Sequence, residues 1–477
     1  MYSFKGRLWI QSPASQPFGY FTRYSLPYKL DEQHILLVNG LTGAIDVVSA
    51  EEHRLLLENP AGYGERYPAE AFVLAQRGYL FADAAQESRV RAELIELIKA
   101  GLPQRDAVFM LCPTDYCPMG CSYCFAKGRP AKAERRVMSD GDIDAAFKVI
   151  EQLQSRFDRR VGSVVLYGGE PFQDFTAPAL ARIFERARHG GMKIAAFSNG
   201  SAISSFRQLF IEYSRDIYVI SVTLDGVGPK HDAFRVLDGS FDRAVESIDT
   251  LIQLRVPVQI KMNLNKRNIA EIPGMVDFYR RKGWWHAEGV FFELSPIQYQ
   301  GLAECRDTVT NIELALDFLE MLRQQPELTR FTFLPLVDNK YHLIDSLGIH
   351  SFPTEQVPLH SAVPRIHNCP SYSQHMFVFG ADGRFYLCNE EVGVNQACFG
   401  SLAHGGGLDI ERMAQHFMRD MTTLGGCDEC PYALFCGGGC GHHAEAPDKH
   451  FCGTLAADFR QIVDRYRDFL LARCQIA

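Results

Sequence analysis

The stretch Cys117-Pro118-Met119-Gly120-Cys121-Ser122-Tyr123-Cys124 decides the reading of this chain. It places three thiols on one short loop, spaced by three and then two residues, directly after the apolar run Val108–Cys112, VFMLC. Three thiolates on one loop can hold three irons of a [4Fe–4S] cube and leave the fourth without a protein ligand, open to a substrate. A zinc knuckle is the competing chemistry, with Cys112 as a fourth ligand. Zinc sites usually pair two short C-x-x-C-like units, however, and Cys112 falls inside the apolar run, where a thiol is more often a small core residue.

Working outward, apolar strands alternate with amphipathic helices from Asp106 onward. The strands expected are Val108–Cys112, Val164–Tyr167, Ile194–Ser198, Tyr218–Leu224, Val256–Leu264 and Val290–Leu294. Between the first two, Ile143, Phe147 and Ile150 share a helical face over Ser139–Phe157, and Ser139 with Asp142 resembles a capping box. Six such units predict an α/β fold, a partial (β/α)6 parallel barrel with its chemistry in the loops after the strands. Those loops carry Gly168-Gly169-Glu170-Pro171, Ser198-Asn199-Gly200, Leu224-Asp225-Gly226 and then His231-Asp232 with Arg235; Ser221 sits on the fourth strand. Glycines permit close approach of backbone to a ligand, Glu170 can accept from a cationic amine, and Arg235 suits a carboxylate.

The cysteine spacing and the order of these loops resemble the radical S-adenosylmethionine (SAM) superfamily. The resemblance implies that Cys117, Cys121 and Cys124 hold the initiating cluster. It implies SAM contacts from Tyr123 (adenine), Gly168, Gly169 and Glu170 (amine), Ser198, Asn199, Ser221 and Asp225 (ribose and methionine) and Arg235 (carboxylate).

A second cysteine group closes the chain: Cys427, Cys430, Cys436, Cys440 and Cys452, with Cys369 and Cys388 upstream and Gly383 five residues before Cys388. This order resembles the SPASM extension of radical SAM peptide and protein maturases, which implies two auxiliary clusters and three [4Fe–4S] clusters in all. Carried over by position, Cys427, Cys430, Cys436 and Cys452 would hold one cluster completely, while Cys369, Cys388 and Cys440 contribute to the other. The sulfatase-maturase version has one more cysteine; at the comparable spacing this chain has His375, either a ligand or a structural residue. Those maturases also place an acidic base directly after the counterpart of Cys388, where this chain has Asn389, followed by Glu390 and Glu391. An amide accepts no proton at neutral pH, which weakens the sulfatase-maturase reading, with Glu390 as the candidate base if that chemistry runs here. Cys305, Cys398 and Cys474 have no assigned role.

The first hundred residues read as a small separate unit. His34–Val48, HILLVNGLTGAIDVV, is a hairpin; Ser49 with Glu52 opens a helix; Ala71–Leu80 is a helix and strand; Glu87–Ala100 is a helix running to a boundary at Gly101 and Pro103. This resembles the peptide-binding units ahead of the barrel in maturases of ribosomally made peptides, with a structural cap as the alternative. The expected segments are 1–103, 104–300 (barrel), 301–365 (connection) and 366–477 (auxiliary clusters), the last ending in a helix from Thr454 to about Ala472. With 477 residues, 47% hydrophobic, a net charge of −8 and interspersed signs, neither a nucleic-acid groove nor a membrane span is indicated, and a cytoplasmic location is expected.

The function implied is reductive SAM cleavage and installation of a thioether or carbon–carbon crosslink in a precursor peptide, with flavodoxin or ferredoxin as reductant. The alternatives are a formylglycine-generating sulfatase maturase, a small-molecule cofactor-pathway radical enzyme, and an electron carrier or zinc scaffold.

Overall fold

In a computed structural model, the structure describes residues 1–4, 17–101, 106–124, 126, 135–156, 162–297, 311–333, 340–351, 364–402, 407–444 and 448–475. The expected boundary at Pro103, the helix end at Phe157, Cys305 and much of the 301–365 connection lie outside the described residues. Two compact units form, each discontinuous in sequence, whereas the sequence reading divides the chain into consecutive segments. The first comprises Met1–Leu102, Pro335–Tyr372 and His416–Ala477, the second Pro103–Leu334 and Ser373–Gln415.

The first unit contains β1 (Tyr2–Ser3), β2 (Tyr20–Phe21), β3 (Ser25–Lys29), β4 (His34–Asn39), β5 (Ile45–Ser49) and β6 (Leu80–Phe81). Four form an antiparallel sheet in the order β1-β5-β4-β3, and β2 pairs with β6. The expected hairpin is β4–β5. Asn39 shapes its turn, Oδ1 accepting from the Leu41 and Thr42 amides at 2.8 and 3.2 Å, and Gly43 takes φ +74°. The expected capping box is complete: the Glu52 amide donates to Ser49 Oγ (3.1 Å) and the Ser49 amide to Glu52 Oε2 (2.7 Å), opening helix Ala50–Glu58.

Leu37 and Val48 of the hairpin pack with Leu56, Tyr63 and Leu74 of the following helices and with Tyr79 just ahead of β6. A second core joins Tyr24, Leu41, Phe81 and Ile95 to Ile366, Met421, Leu424 and Leu434. The N-terminal hundred residues are therefore not separate. They share an apolar interior with the cysteine-rich C-terminal segment, because a sheet of this size cannot bury its apolar face alone. The expected single C-terminal helix is two, Leu455–Arg465 and Arg467–Gln475, broken at Tyr466.

The second unit is one sheet of nine strands: β7 (Val108–Leu111), β8 (Ser163–Leu166), β9 (Lys193–Ser198), β10 (Ile217–Thr223), β11 (Val258–Leu264), β12 (Val290–Pro296), β13 (Phe331–Phe333), β14 (Met376–Phe379) and β15 (Phe385–Tyr386). The strands β7 to β12 are the six expected ones, neighbours in sequence order and all parallel. Helices such as Asp140–Arg156, Ala177–His189 and Ser240–Gln253 return the chain between them. Such crossovers are what parallel pairing requires, and their apolar faces cover the strands. The first of these helices opens as expected, with the Asp142 amide donating to Ser139 Oγ at 3.1 Å.

Two additions were not expected. Strand β13 extends the parallel order beyond β12, and β14 pairs parallel to β7, followed by antiparallel β15. The fold is α/β, a partial barrel of mostly parallel strands with open edges. No helix among the described residues is long and apolar enough to cross a membrane.

Candidate active site and cysteine sites

The loop after β7 is held by the loop after β8. The Gly169 amide donates to the Thr114 carbonyl (3.0 Å) and the Glu170 amide to the Tyr116 carbonyl (2.7 Å). Gly168 has φ +109°, and a Cβ on Gly169 would fall 2.2 Å from the Tyr116 oxygen. These glycines thus serve the approach of one loop to the other, which the sequence reading had assigned to a ligand. On its far side the cysteine loop rests on helix Pro229–Arg235, the Gly120 amide donating to the Arg235 carbonyl at 3.2 Å.

Glu170 is buried, with both carboxylate oxygens occupied. Oε1 accepts from Ser198 Oγ (2.7 Å) and the Phe172 amide (3.2 Å), and Oε2 from the Asn199 amide (2.6 Å). Burial pushes its pKa up to about 7, against the pull of those donors and of Arg235. A carboxylate has about four acceptor positions, so a further donor can still be taken. Asn199 also reaches the cysteine loop, its Nδ2 lying 3.7 Å from Cys117 Sγ.

A second buried network closes the other side. Tyr123 donates its hydroxyl to Asp225 Oδ2, and Arg235 Nη1 lies 2.5 Å from that hydroxyl and 3.3 Å from Asp225 Oδ2. Asp225 Oδ1 accepts from the amide and side chain of Asn263 at 2.8 and 3.1 Å. Burial first, then Asp225, hold the Tyr123 hydroxyl well above the usual phenol range. His231 is buried and its pKa is lowered to about 4, chiefly by desolvation, so the neutral ring accepts the Asp225 amide at Nδ1 (3.0 Å). Asp232 caps helix Ser240–Gln253, accepting from the Phe241 and Gly239 amides and Ser240 Oγ at 2.7–2.8 Å. The two halves of the His-Asp pair are therefore a support for the Asp225 loop and a helix cap.

These parts surround a cavity of about 420 Å³. Cys117, Cys121, Cys124, Tyr123, Gly168, Gly169, Glu170, Ser198, Asn199 and Arg235 all line it. Asp225 lies buried beneath, bonded to Tyr123. Ser221 is buried on β10 and is not among the lining residues. The cavity also takes in Tyr167, Lys261, Asn263, Asn389 and Glu390. Lys261 Nζ sits 3.1 Å from Glu293 Oε1, and Asn389 Nδ2 donates to the Tyr167 hydroxyl at 3.1 Å. The sequence reading missed Lys261 and Asn263 as lining groups. Their signal is the period-two pattern of β11, VQIKMNL, which puts Gln259, Lys261 and Asn263 on one face. Three thiols and a side-chain amide facing one roomy cavity fit a three-cysteine cluster with space for a ligand at its open iron.

In the first unit, Cys427, Cys430, Cys436 and Cys452 are neighbours. Burial pushes the Cys427 thiol up to about 11, with Cys436, Cys430 and Cys452 adding to the rise. The run Cys436-Gly437-Gly438-Gly439-Cys440 has all three glycines at positive φ, +68°, +85° and +72°. A Cβ on Gly437 would fall 2.4 Å from the His367 carbonyl carbon, close to Cys369 in sequence; one on Gly439 would fall 1.8 Å from the Phe451 oxygen, next to Cys452. The glycines are what let these cysteine segments meet. Cys369 and Cys440 flank Tyr372, whose hydroxyl accepts the Gly441 amide at 2.7 Å. Cys388 precedes the turn Asn389–Glu391 in the second unit. His375 is buried ahead of β14, its Nδ1 2.8 Å from Ser373 Oγ. Among the described residues no three His, Cys, Asp or Glu groups converge as ligands of a single ion.

A parallel α/β sheet whose first loop offers three thiols to a cavity walled by the following loops has the ligand set for an iron–sulfur cluster with one open iron. Residues 111–279 match the Radical SAM superfamily, so the chain carries a radical SAM domain, and that domain implies a [4Fe–4S] cluster and SAM as cofactors.

The chain is 27% identical over 171 residues to Fe-coproporphyrin III synthase of Methanosarcina barkeri, covering 34% of this chain and 38% of that protein. It is 25% identical over 172 residues to the sporulation killing factor maturation protein SkfB of Bacillus subtilis, covering 34% and 37%. The matches thus span well under half of either relative. The crystal structure of Streptococcus suis SuiB bound to precursor peptide SuiA superposes with a TM-score of 0.51 at 14% identity, over 91% of this chain and 98% of SuiB.

Proposed function

We propose that this enzyme is a peptide maturase that installs a thioether or carbon–carbon crosslink in a precursor peptide. The observation that carries the reading is the extent of the likeness to SuiB. Coverage of 91% exceeds what the barrel alone can supply, so it takes in much of the chain outside the barrel as well. SkfB supports the same substrate class.

Cys117, Cys121 and Cys124 would hold the initiating cluster, and Cys427, Cys430, Cys436 and Cys452 an auxiliary one. Cys369, Cys388 and Cys440 would contribute to a third. When bound, the cluster and SAM supply an electron and a hydrogen-abstracting radical. The chain's own residues bind and orient. Glu170, fixed by three donors, offers its remaining acceptor capacity to a cationic amine. Arg235, Tyr123 and Asp225 form a ready polar wall, and Asn263 holds Asp225 in place. The reductant would be a flavodoxin or ferredoxin.

A second reading, formylglycine formation, is favoured by one observation: Glu390 lines the cavity beside Asn389 and can accept a proton there. A third, synthesis of an iron porphyrin, draws on the Methanosarcina relative.

The test is anaerobic turnover of a candidate precursor peptide with SAM and reductant, read by tandem mass spectrometry and a carbonyl-reactive probe. Loss of two hydrogens, about 2 Da, with fragmentation suppressed between two residues and no probe adduct supports crosslinking. A probe adduct on one Cys or Ser refutes it and promotes Glu390 as base. Formation of an iron porphyrin from its tetrapyrrole precursor, with the peptide unchanged, refutes both.

A further inference from the structure

We propose that Arg365 and Arg419 are built-in counter-charges that raise the reduction potentials of clusters held by the C-terminal cysteines. The inference rests on the reading above that those cysteines bind clusters. Both guanidinium side chains belong to residues that are almost fully buried, at 6% and 7% exposure, in the unit that carries Cys427, Cys430, Cys436, Cys440 and Cys452.

Arg365 is clamped to the segment bearing Cys436. Its Nε donates to the Phe435 carbonyl at 2.6 Å and its amide to the Leu434 carbonyl at 2.8 Å. Arg419 lies over the Tyr372 ring, 5.5 Å from its centroid, and its Nε stands 2.8 Å from where a Cβ on Gly441 would be, beside Cys440.

A cluster ligated by four thiolates carries net negative charge that grows on reduction, so a fixed cation beside it favours the reduced form. Arg365 is bonded to the carbonyl of the residue before Cys436, and Arg419 stands against the residue after Cys440. A unit charge about 10 Å from a cluster, at an effective dielectric of about 20, shifts the reduced-to-oxidised ratio by about tenfold. That ratio corresponds to about 59 mV for a one-electron couple.

The experiment uses the full chain with Cys117, Cys121 and Cys124 replaced by Ala, reconstituted anaerobically, so that every cluster signal comes from the other cysteines. Iron and sulfide are counted, and midpoints are read by redox titration monitored by electron paramagnetic resonance. In this background Arg365→Met and Arg419→Met are expected to keep their iron and to lower a midpoint by about the tenfold equivalent, with Arg→Lys at each position restoring most of the shift. Unchanged midpoints at full iron content overturn the proposal. If the Met variants lose iron, Arg→Gln and Arg→Lys decide: iron retained by Lys alone supports a charge requirement, and iron lost equally from both overturns it. A background protein that takes up no iron refutes the underlying cluster reading, and is distinguished by the iron count itself.

Discussion

Replacing Glu170 with Gln tests how the cavity stores electrostatic strain. Glu170 is 1% exposed, and burial lifts its pKa from 4.5 to about 7. The native state therefore binds more protons than the unfolded chain between these values, and stability falls as pH rises across that window. The favourable contribution is fully present below about pH 4.5 and is lost as pH passes through about 7. Integrating the linkage between pH 5.5 and 8 gives a loss of about 2 kcal/mol for the wild type. Gln does not titrate, so Glu170→Gln removes this slope. It carries instead a constant cost of about 1–3 kcal/mol, because its amide group faces donors that the carboxylate accepts.

The assay is urea denaturation of cluster-free protein followed by tryptophan fluorescence. Trp284 and Trp285 are buried in the same unit as Glu170 and report its unfolding. The wild type should lose about 2 kcal/mol relative to the variant between pH 5.5 and 8. Parallel pH dependences for the two proteins would refute the argument, since Glu170 would then titrate alike in both states.

Reconstituted wild-type protein should hold about twelve irons, and Ala at Cys117, Cys121 and Cys124 should abolish SAM cleavage while leaving about two-thirds of the iron; proportional loss from all sites would show that the cysteine groups are not independent. Gly439→Ala puts a Cβ 1.8 Å from the Phe451 oxygen at φ +72°, which should displace Cys452 and cost about a third of the iron, whereas Gly425→Ala, with nothing within 4 Å, should retain it all. Deleting residues 1–101 removes Tyr24, Leu41, Phe81 and Ile95 from the core beneath the C-terminal cysteines, each worth about 2 kcal/mol. The truncated protein should therefore lose C-terminal iron as well as peptide affinity. Full iron retention would mean that the C-terminal segment folds without that core.

Much of the barrel was legible because its signals are local. Each of β7 to β12 is a short apolar run followed by polar loop residues, and the period of two or 3.6 survives in the one-dimensional string. The hairpin at His34–Val48 and the Ser49–Glu52 capping box were legible for the same reason, since each is settled within a few residues. The cysteine spacings belong to this class too: a loop holding Cys117, Cys121 and Cys124 implies their proximity.

What only the tertiary structure decided involves partners far apart in sequence. The pairing of β14 with β7 joins Met376 to Val108, and four residues of MFVF carry no mark of which edge they will complete. The joint core of Tyr24 with Leu434, and the meeting of Gly439 with Phe451, depend on backbone paths that hydrophobic pattern does not encode. The glycines at 168, 169 and 437–439 were visible as residue types. Their purpose was not, because a positive φ or a 2 Å approach is a property of two segments at once, and one segment's sequence states only that such an approach is allowed.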